Sequence, residues 1–418
     1  MTSAELLCDA FGVDGRVREC ALRAERRCAG FAYEPQRHVA TAMLRAFLDE
    51  GVAESDLAGS TGYGYDDAAR ARYESLLARV FGAERALARL SLVSGTHAIV
   101  AALAACVPPG GTLLSISGRP YDTLRNAICD APHSLVRRGI EYREIALHDG
   151  AVDREALREE LAARRVDTVF VQRSRGYAPR PSLDVAEIER AVQTVRASAP
   201  DVPVLVDNCY GELVEAREPT HAGADLVMGS LIKNLGGSLA PAGGYVAGRA
   251  AVVDRVASYL YAPGLGAGLG PTLGFGRSLV QGLFLAPGIV ERCLRGLDFA
   301  AALFEELGYA VDPSPGAART DIVQAIRLGS RDRLVCFATG LQEAMPLNAR
   351  FRPEPGAVPG YVDPVIMSSG AFVAGATIEL SCDAPLREPY EVYLQGGLTS
   401  EHAQLGALFA ARAITAKV

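Results

Sequence analysis

The chain has 418 residues, 49% of them apolar and 22% charged, with a formal net charge of −7 and a sequence pI near 5.6. That balance is ordinary for a folded protein and excludes general disorder, and at roughly 100 to 200 residues per domain the length predicts two domains. The acidic excess argues against a nucleic-acid partner, which needs concentrated Lys and Arg; the short basic stretch RRGIEYR reads as a solvated edge.

The first residues, MTSAELLCDAFGVDGRVREC, carry acids where a signal peptide needs a basic region. No apolar run approaches the roughly 18 residues of a membrane span, so neither export nor a membrane partner is expected. Residues 1–55 show helical spacing with charges on both sides (VRECALRAERRCAGF, HVATAMLRAFLDEG) and read as an N-terminal helical arm. From 56 to 285, short apolar strands (GTLLSIS, DTVFVQR, VPVLVDN, ADLVMGS, GGYVAG) alternate with helical stretches such as DREALREELAARR. Strands apolar almost throughout, with helices between them, predict a mainly parallel sheet covered on both faces, hence a large α/β domain. Residues 286–418 mix strands and helices around the loop-like RPEPGAVPGYVDP and read as a smaller α+β domain. Nine Cys stand singly with no C-x-x-C, and six His are dispersed. No metal-ligand spacing appears, and a reduced, cytoplasmic chain is the simplest account.

Four features carry chemistry. Asp207 closes the apolar strand VLVD, and ligands of doubly wound sheets bind at the carboxyl ends of strands. Lys233 sits in GSLIKNLGG, where apolar Leu231, Ile232 and Leu235 are expected to disfavour its charged form and leave a nucleophilic amine. Ser94, Gly95 and Thr96 precede an Ala-rich helix, whose N-terminus offers free N–H groups to a phosphate. Tyr121, after a further strand, presents a ring that can stack on a flat ligand. Each has an ordinary reading: a turn residue, a surface lysine, a helix cap, a core tyrosine. Together, a phosphate cradle, a stacking ring, a carboxylate for a pyridinium nitrogen and an amine for a Schiff base describe a site for pyridoxal phosphate.

At VDNCYGELVEAREPTHAGADLVMGSLIKNLGG the chain resembles the pyridoxal-phosphate enzymes of the cystathionine and methionine γ-lyase group. GYGYDDAAR, QRSRGYAPRPSL, APAGGYVAG, RTDIVQAI and YLQGGLTSEH are similar to the branch known as "aluminium resistance" or methionine γ-lyase-like proteins, from about residue 60 to 405. The resemblance implies the aspartate-aminotransferase type of fold (fold type I), with Lys233 forming the Schiff base and Asp207 keeping the pyridine nitrogen protonated. It further implies that Tyr121 stacks on the ring, that Ser94, Gly95, Thr96 and Ser230 bind the phosphate, and that Tyr63, Tyr65 and Arg70 reach a neighbouring subunit's site in a homodimer or homotetramer.

Two departures stand out. Ala69 occupies a position where the branch has Gly, with a displaced loop as the expected result, and Glu379 stands before Leu380-Ser381 where better-known γ-lyases place a carboxylate-binding Arg. Arg175 and Arg387 are the candidates for the substrate carboxylate, because a guanidinium binds one bidentately. The implied reaction is elimination of a side-chain group, a thiolate, halide or activated oxygen, from Cβ or Cγ of an α-amino acid. Lys233 moves protons in this reading, and Tyr63 or Tyr121 assists the leaving group. A γ-replacement enzyme, an aminotransferase and a catalytically idle metal-stress protein are the alternatives.

Overall fold

A computed structural model describes residues 1–416. The chain forms two compact units, one of His38–Ala286 and one that joins Met1–Arg37 to the residues from Pro287 onward. The first 37 residues of the segment read as an arm therefore belong with the C-terminal residues. Phe11 meets Phe409 edge-on at 5.8 Å, and Tyr33 donates to Asp298 at 2.7 Å.

In the unit of His38–Ala286 lie β1 (Arg85–Arg89), β2 (Thr112–Ser115), β3 (Glu141–Glu144), the small hairpin of β4 (Leu147–His148) and β5 (Ala151–Val152), β6 (Thr168–Gln172), β7 (Val204–Asp207), β8 (Leu226–Ser230) and β9 (Gly244–Gly248). Seven of these build one sheet in the order β1-β9-β8-β7-β6-β2-β3. Strands β3, β2, β6, β7 and β8 run parallel, and β9 is antiparallel to both its neighbours. Val169, Val171, Val204, Val206 and Val227 are all buried, as β-branched residues on a sheet covered on both faces must be. The intervening helices start at capping side chains: Ser94 before Gly95–Cys106, Asp153 before Arg154–Ala163 and Asp184 before Val185–Ser198. The α/β class expected from the apolar runs is the class observed.

The other unit carries a five-stranded antiparallel sheet of β10 (Ala310–Asp312), β11 (Val323–Arg327), β12 (Val365–Ser369), β13 (Ser381–Pro385) and β14 (Glu391–Gln395), in the order β10-β11-β14-β13-β12. Helix Arg331–Glu343 packs on β12 and β13 and against helix Ser400–Thr415. Among the described residues no helix is long and apolar enough to cross a membrane.

Candidate active site

The parallel strands end level with one another. Gln172 of β6 pairs with Asp207 of β7, which pairs with Met228 of β8, so the residues that follow each strand emerge side by side. Onto these ends comes the N-terminus of helix Gly95–Cys106. A Cβ added to Gly95 would lie 3.0 Å from Cys209 Sγ and 3.4 Å from Ser230 Cβ, so any side chain there would have to push these neighbours back. The Ser94 hydroxyl accepts from His97 N at 3.1 Å and caps its own helix, while the Ser230 hydroxyl accepts from Ile232 N at 3.3 Å. Thr96 Oγ1 lies 2.7 Å from the Tyr121 hydroxyl, and Tyr121 N donates to Gln172 Oε1 at 2.9 Å. The structure thus gathers Ser94, Gly95, Thr96, Tyr121, Asp207, Ser230 and Lys233 at one end of one sheet.

Asp207 is buried and accepts from Cys209 N through Oδ1 at 3.1 Å. Burial pushes this carboxyl above its usual range, with Lys233 and the Cys209 N–H pulling it back. Lys233 is half-buried, its Nζ 3.7 Å from the centre of the Tyr210 ring. Its expected loss of charge is not what the structure gives: burial lowers it, but Cys209, Tyr210, Asp207 and Tyr121 around it outweigh burial and hold the ammonium well above the lysine range. The reason is geometric, because Leu231 and Leu235 are themselves packed into the core while the amine faces acids and rings.

The sequence contains one signal stronger than any used above. Of its 42 Lys and Arg residues only two are lysines, Lys233 and Lys417, leaving 42 − 2 = 40 arginines; Lys417 lies outside the described residues. Arginine cannot be deprotonated in a protein and so cannot serve as an amine nucleophile. A chain that uses arginine for nearly every cation has kept a lysine at the strand ends.

Sequence reasoning also missed the support beneath the site. Arg173 is fully buried and donates through Nη1 to Asn208 Oδ1 (2.6 Å) and Gly211 O (2.9 Å), and through Nη2 to Glu215 (2.5 Å). Glu218, which accepts from Asn208 Nδ2 at 2.8 Å and Leu213 N at 2.7 Å, is 3.6 Å from Arg173 Nη1. This network braces the loop after β7. Nearby, the buried Glu212 accepts from the Tyr245 hydroxyl at 3.0 Å, and burial lifts its carboxyl to about 8.

The remaining candidates stand elsewhere. Tyr63 and Tyr65 are exposed, 75% and 63%, with ring centres 5.9 Å apart. Tyr63 lines a cleft of about 450 Å³ with Leu269, Leu273 and Phe275. Arg70 is buried and gives its donors to carbonyls, Gly64 at 2.6 Å, Gly270 at 2.7 Å and Gly268 at 3.2 Å. Ala69 is also buried; a Cβ on Gly276 would sit 2.4 Å from its methyl, so the bare glycine accommodates the methyl that the sequence departure adds. Beside it Asp67 caps the helix: burial alone would raise its carboxyl, but hydrogen bonds from Ser60, Arg70 and Thr272 hold it below the usual range. Arg175 is buried in the segment that follows β6, where a Cβ on Gly176 would come within 3.2 Å of Tyr121 Cβ. Arg387, in the other unit, lies 3.5 Å from Asp363. Glu379 accepts from Phe372 N (2.7 Å) and Val373 N (3.1 Å), which makes it a turn-holding carboxylate beside a cavity of about 240 Å³ that His402 also lines. Among the described residues no group of three or more His, Cys, Asp and Glu is arranged to hold a metal ion.

The donor set fits pyridoxal phosphate. Asp207 would offer its carboxylate to the ring N–H, Lys233 an amine to the aldehyde and Tyr121 a face to the ring, and the helix N-terminus at Gly95 and Thr96 with Ser230 would hold the phosphate.

Comparison with known proteins gives a consistent picture. A family model described as methionine gamma-lyase matches residues 25–415. The uncharacterized protein YnbB of Bacillus subtilis is 40% identical over 408 residues, 96% of this chain and 93% of that protein. A Clostridium acetobutylicum structure, assigned in name only to a cystathionine beta-lyase involved in aluminium resistance, is 41% identical with a TM-score of 0.93, over 97% of each chain. A structure from Clostridium novyi titled as a carbon-sulfur lyase involved in aluminium resistance is 38% identical with a TM-score of 0.92, over 98% of this chain and 99% of that one.

Proposed function

This chain belongs to the methionine γ-lyase family, whose cofactor is pyridoxal phosphate, and we propose that it is a fold type I carbon-sulfur lyase acting on an α-amino acid. The observation that carries the reading is the placement of the one lysine among the described residues at the strand ends, with Asp207 and the Gly95 helix N-terminus around it. Pyridoxal phosphate, when bound, supplies an electron sink that makes the amino acid's Cα–H acidic.

The chain's own residues do the rest. Lys233 accepts the Cα proton through its amine and redelivers it. Asp207 accepts the ring N–H and keeps the sink charged. Thr96 fixes the Tyr121 hydroxyl and with it the tilt of the stacking ring. Arg175, buried in the segment after β6 whose next residue, Gly176, packs on Tyr121, is our candidate for the α-carboxylate, ahead of Arg387 in the other unit. Loss of a thiolate from Cβ or Cγ then leaves a product hydrolysed to a 2-oxo acid and ammonia. Exposed Tyr63, Tyr65, Leu273 and Phe275 support a second copy of the chain covering that face.

The test is to load purified protein with pyridoxal phosphate, add amino acids that differ in their sulfur substituent, and follow the cofactor bands, thiol, ammonia and 2-oxo acid together. The lyase reading predicts thiol, ammonia and oxo acid in equal amounts over many turnovers. Oxo acid formed once per site without ammonia would instead mark an aminotransferase.

A further inference from the structure

Loop 208–215 does more than follow Asp207. Tyr210 has φ of 72°, the left-handed region that an L residue enters at a cost, so something must hold it there. Arg173 grips the loop on either side of Tyr210, at Asn208 through its side chain and at Gly211 through its carbonyl. Gly211 has no side chain to obstruct this; a Cβ there would lie 2.5 Å from Arg173 Nη1. From the other side comes Asn234, the residue after the lysine. Its Nδ2 donates to Tyr210 O at 3.1 Å and to Glu212 O at 2.8 Å, tying the two loops together at the point where Lys233 leaves the sheet. The result is a ring whose face lies 3.7 Å under Lys233 Nζ.

We propose that Tyr210 is a positioning residue for Lys233: its ring face, set by the Arg173-braced loop, holds the amine at the strand ends whenever that amine is not covalently engaged. An aromatic face attracts an ammonium through the ring quadrupole, and it does so without a hydrogen-bond acceptor that would compete for the lone pair once the amine is neutral. A carboxylate in the same place would retain the proton; a ring parks the group and lets it react. The acidic groups facing Lys233 besides Tyr210 are Asp207, Cys209 and Tyr121, and Glu212 feels its charge from beneath. Asp207 acts on Lys233 through its charge, and the Tyr210 ring face, 3.7 Å from Nζ, is the close, directional contact. This inference rests on Lys233 being the reactive amine.

With only two lysines in the chain, the contact can be observed directly. Full-length protein made with 13C-lysine and freed of cofactor gives two sets of ε-CH2 signals, and a Lys417→Arg variant assigns them. The proposal predicts that the Lys233 ε protons lie upfield of the Lys417 ones by the ring current of Tyr210. It predicts too that Tyr210→Leu removes the displacement and lowers the Lys233 titration midpoint by about 0.4 to 1.5 pH units. Tyr210→Phe, which keeps the face and loses the hydroxyl, retains the displacement. Unshifted ε protons in the unaltered protein would overturn the proposal even if the Leu variant failed to fold, and so would a Phe variant that loses the displacement. Borohydride trapping of pyridoxal phosphate on the same samples separates the two ideas. Label on Lys233 with no ring-current shift sinks the role of Tyr210 alone, whereas no label on Lys233 sinks the reading of the amine.

Discussion

Replacing Glu212 with glutamine changes one proton and little else. The side chain has no solvent exposure, Oε1 accepts from the Tyr245 hydroxyl at 3.0 Å, and Oε2 has no partner. Gly229 leaves it room, since a Cβ there would come 2.6 Å from Oε1. Burial lifts the carboxyl from 4.5 to about 8, against the pull of Lys233 and with a push from Glu218. Between those limits the folded chain keeps a proton that the unfolded chain has lost, so this group makes stability fall as pH rises through the window and level off above about 8. The window spans 8 − 4.5 = 3.5 pH units. At about 1.36 kcal/mol per unit that is at most roughly 5 kcal/mol. Glutamine accepts the same hydrogen bond and has no proton to lose. Urea unfolding of both cofactor-free proteins, followed by circular dichroism from about pH 5 to about pH 8.5, should show Glu212→Gln gaining several kcal/mol on the parent as pH rises. The comparison cancels the other titrating groups, among them His221 and His402, which burial lowers. A difference that stays flat across the window would refute the claim that Glu212 is held neutral.

Arg173→Met should destabilise the chain by about 3–5 kcal/mol in urea, because Glu215 and Glu218 would lose the cation they were buried with. Gly211→Ala should cost about 1–3 kcal/mol through the clash of its Cβ with the same guanidinium, with the cost abolished in the Met background. Thr96→Val removes the hydroxyl that meets Tyr121; at about 0.5–1.5 kcal/mol for such a bond, pyridoxal phosphate should bind roughly two- to tenfold more weakly in a spectral titration.

Much of this site was legible in one dimension because a parallel sheet writes its ligand end into the sequence. Apolar runs such as VLVD and ADLVMGS stop where the strands stop, so Asp207, Ser230 and Lys233 could be placed without coordinates. What escaped depends on partners far away along the chain. Arg70 looks like a free cation in GYGYDDAAR, and only the fold shows it clamping carbonyls some 200 residues later. Arg173 lies two residues before the arginine that sequence singled out, in QRSRGY, and nothing local distinguishes a buried guanidinium from one facing a ligand. The charge state of Lys233 was misjudged because its apolar neighbours were counted without their directions. Residues 1–37 read as an arm because helical spacing does not say against which surface a helix packs.

The account stands most directly on the amine. Protein loaded with pyridoxal phosphate and reduced with borohydride will carry the cofactor permanently on the group that held it, and with two lysines in the chain the peptide map leaves little to choose between. The prediction is a pyridoxyl group on the peptide containing Lys233, lost in Lys233→Ala together with turnover. Label on Lys417 or the N-terminus, or a Lys233→Ala protein that still turns over, would contradict it.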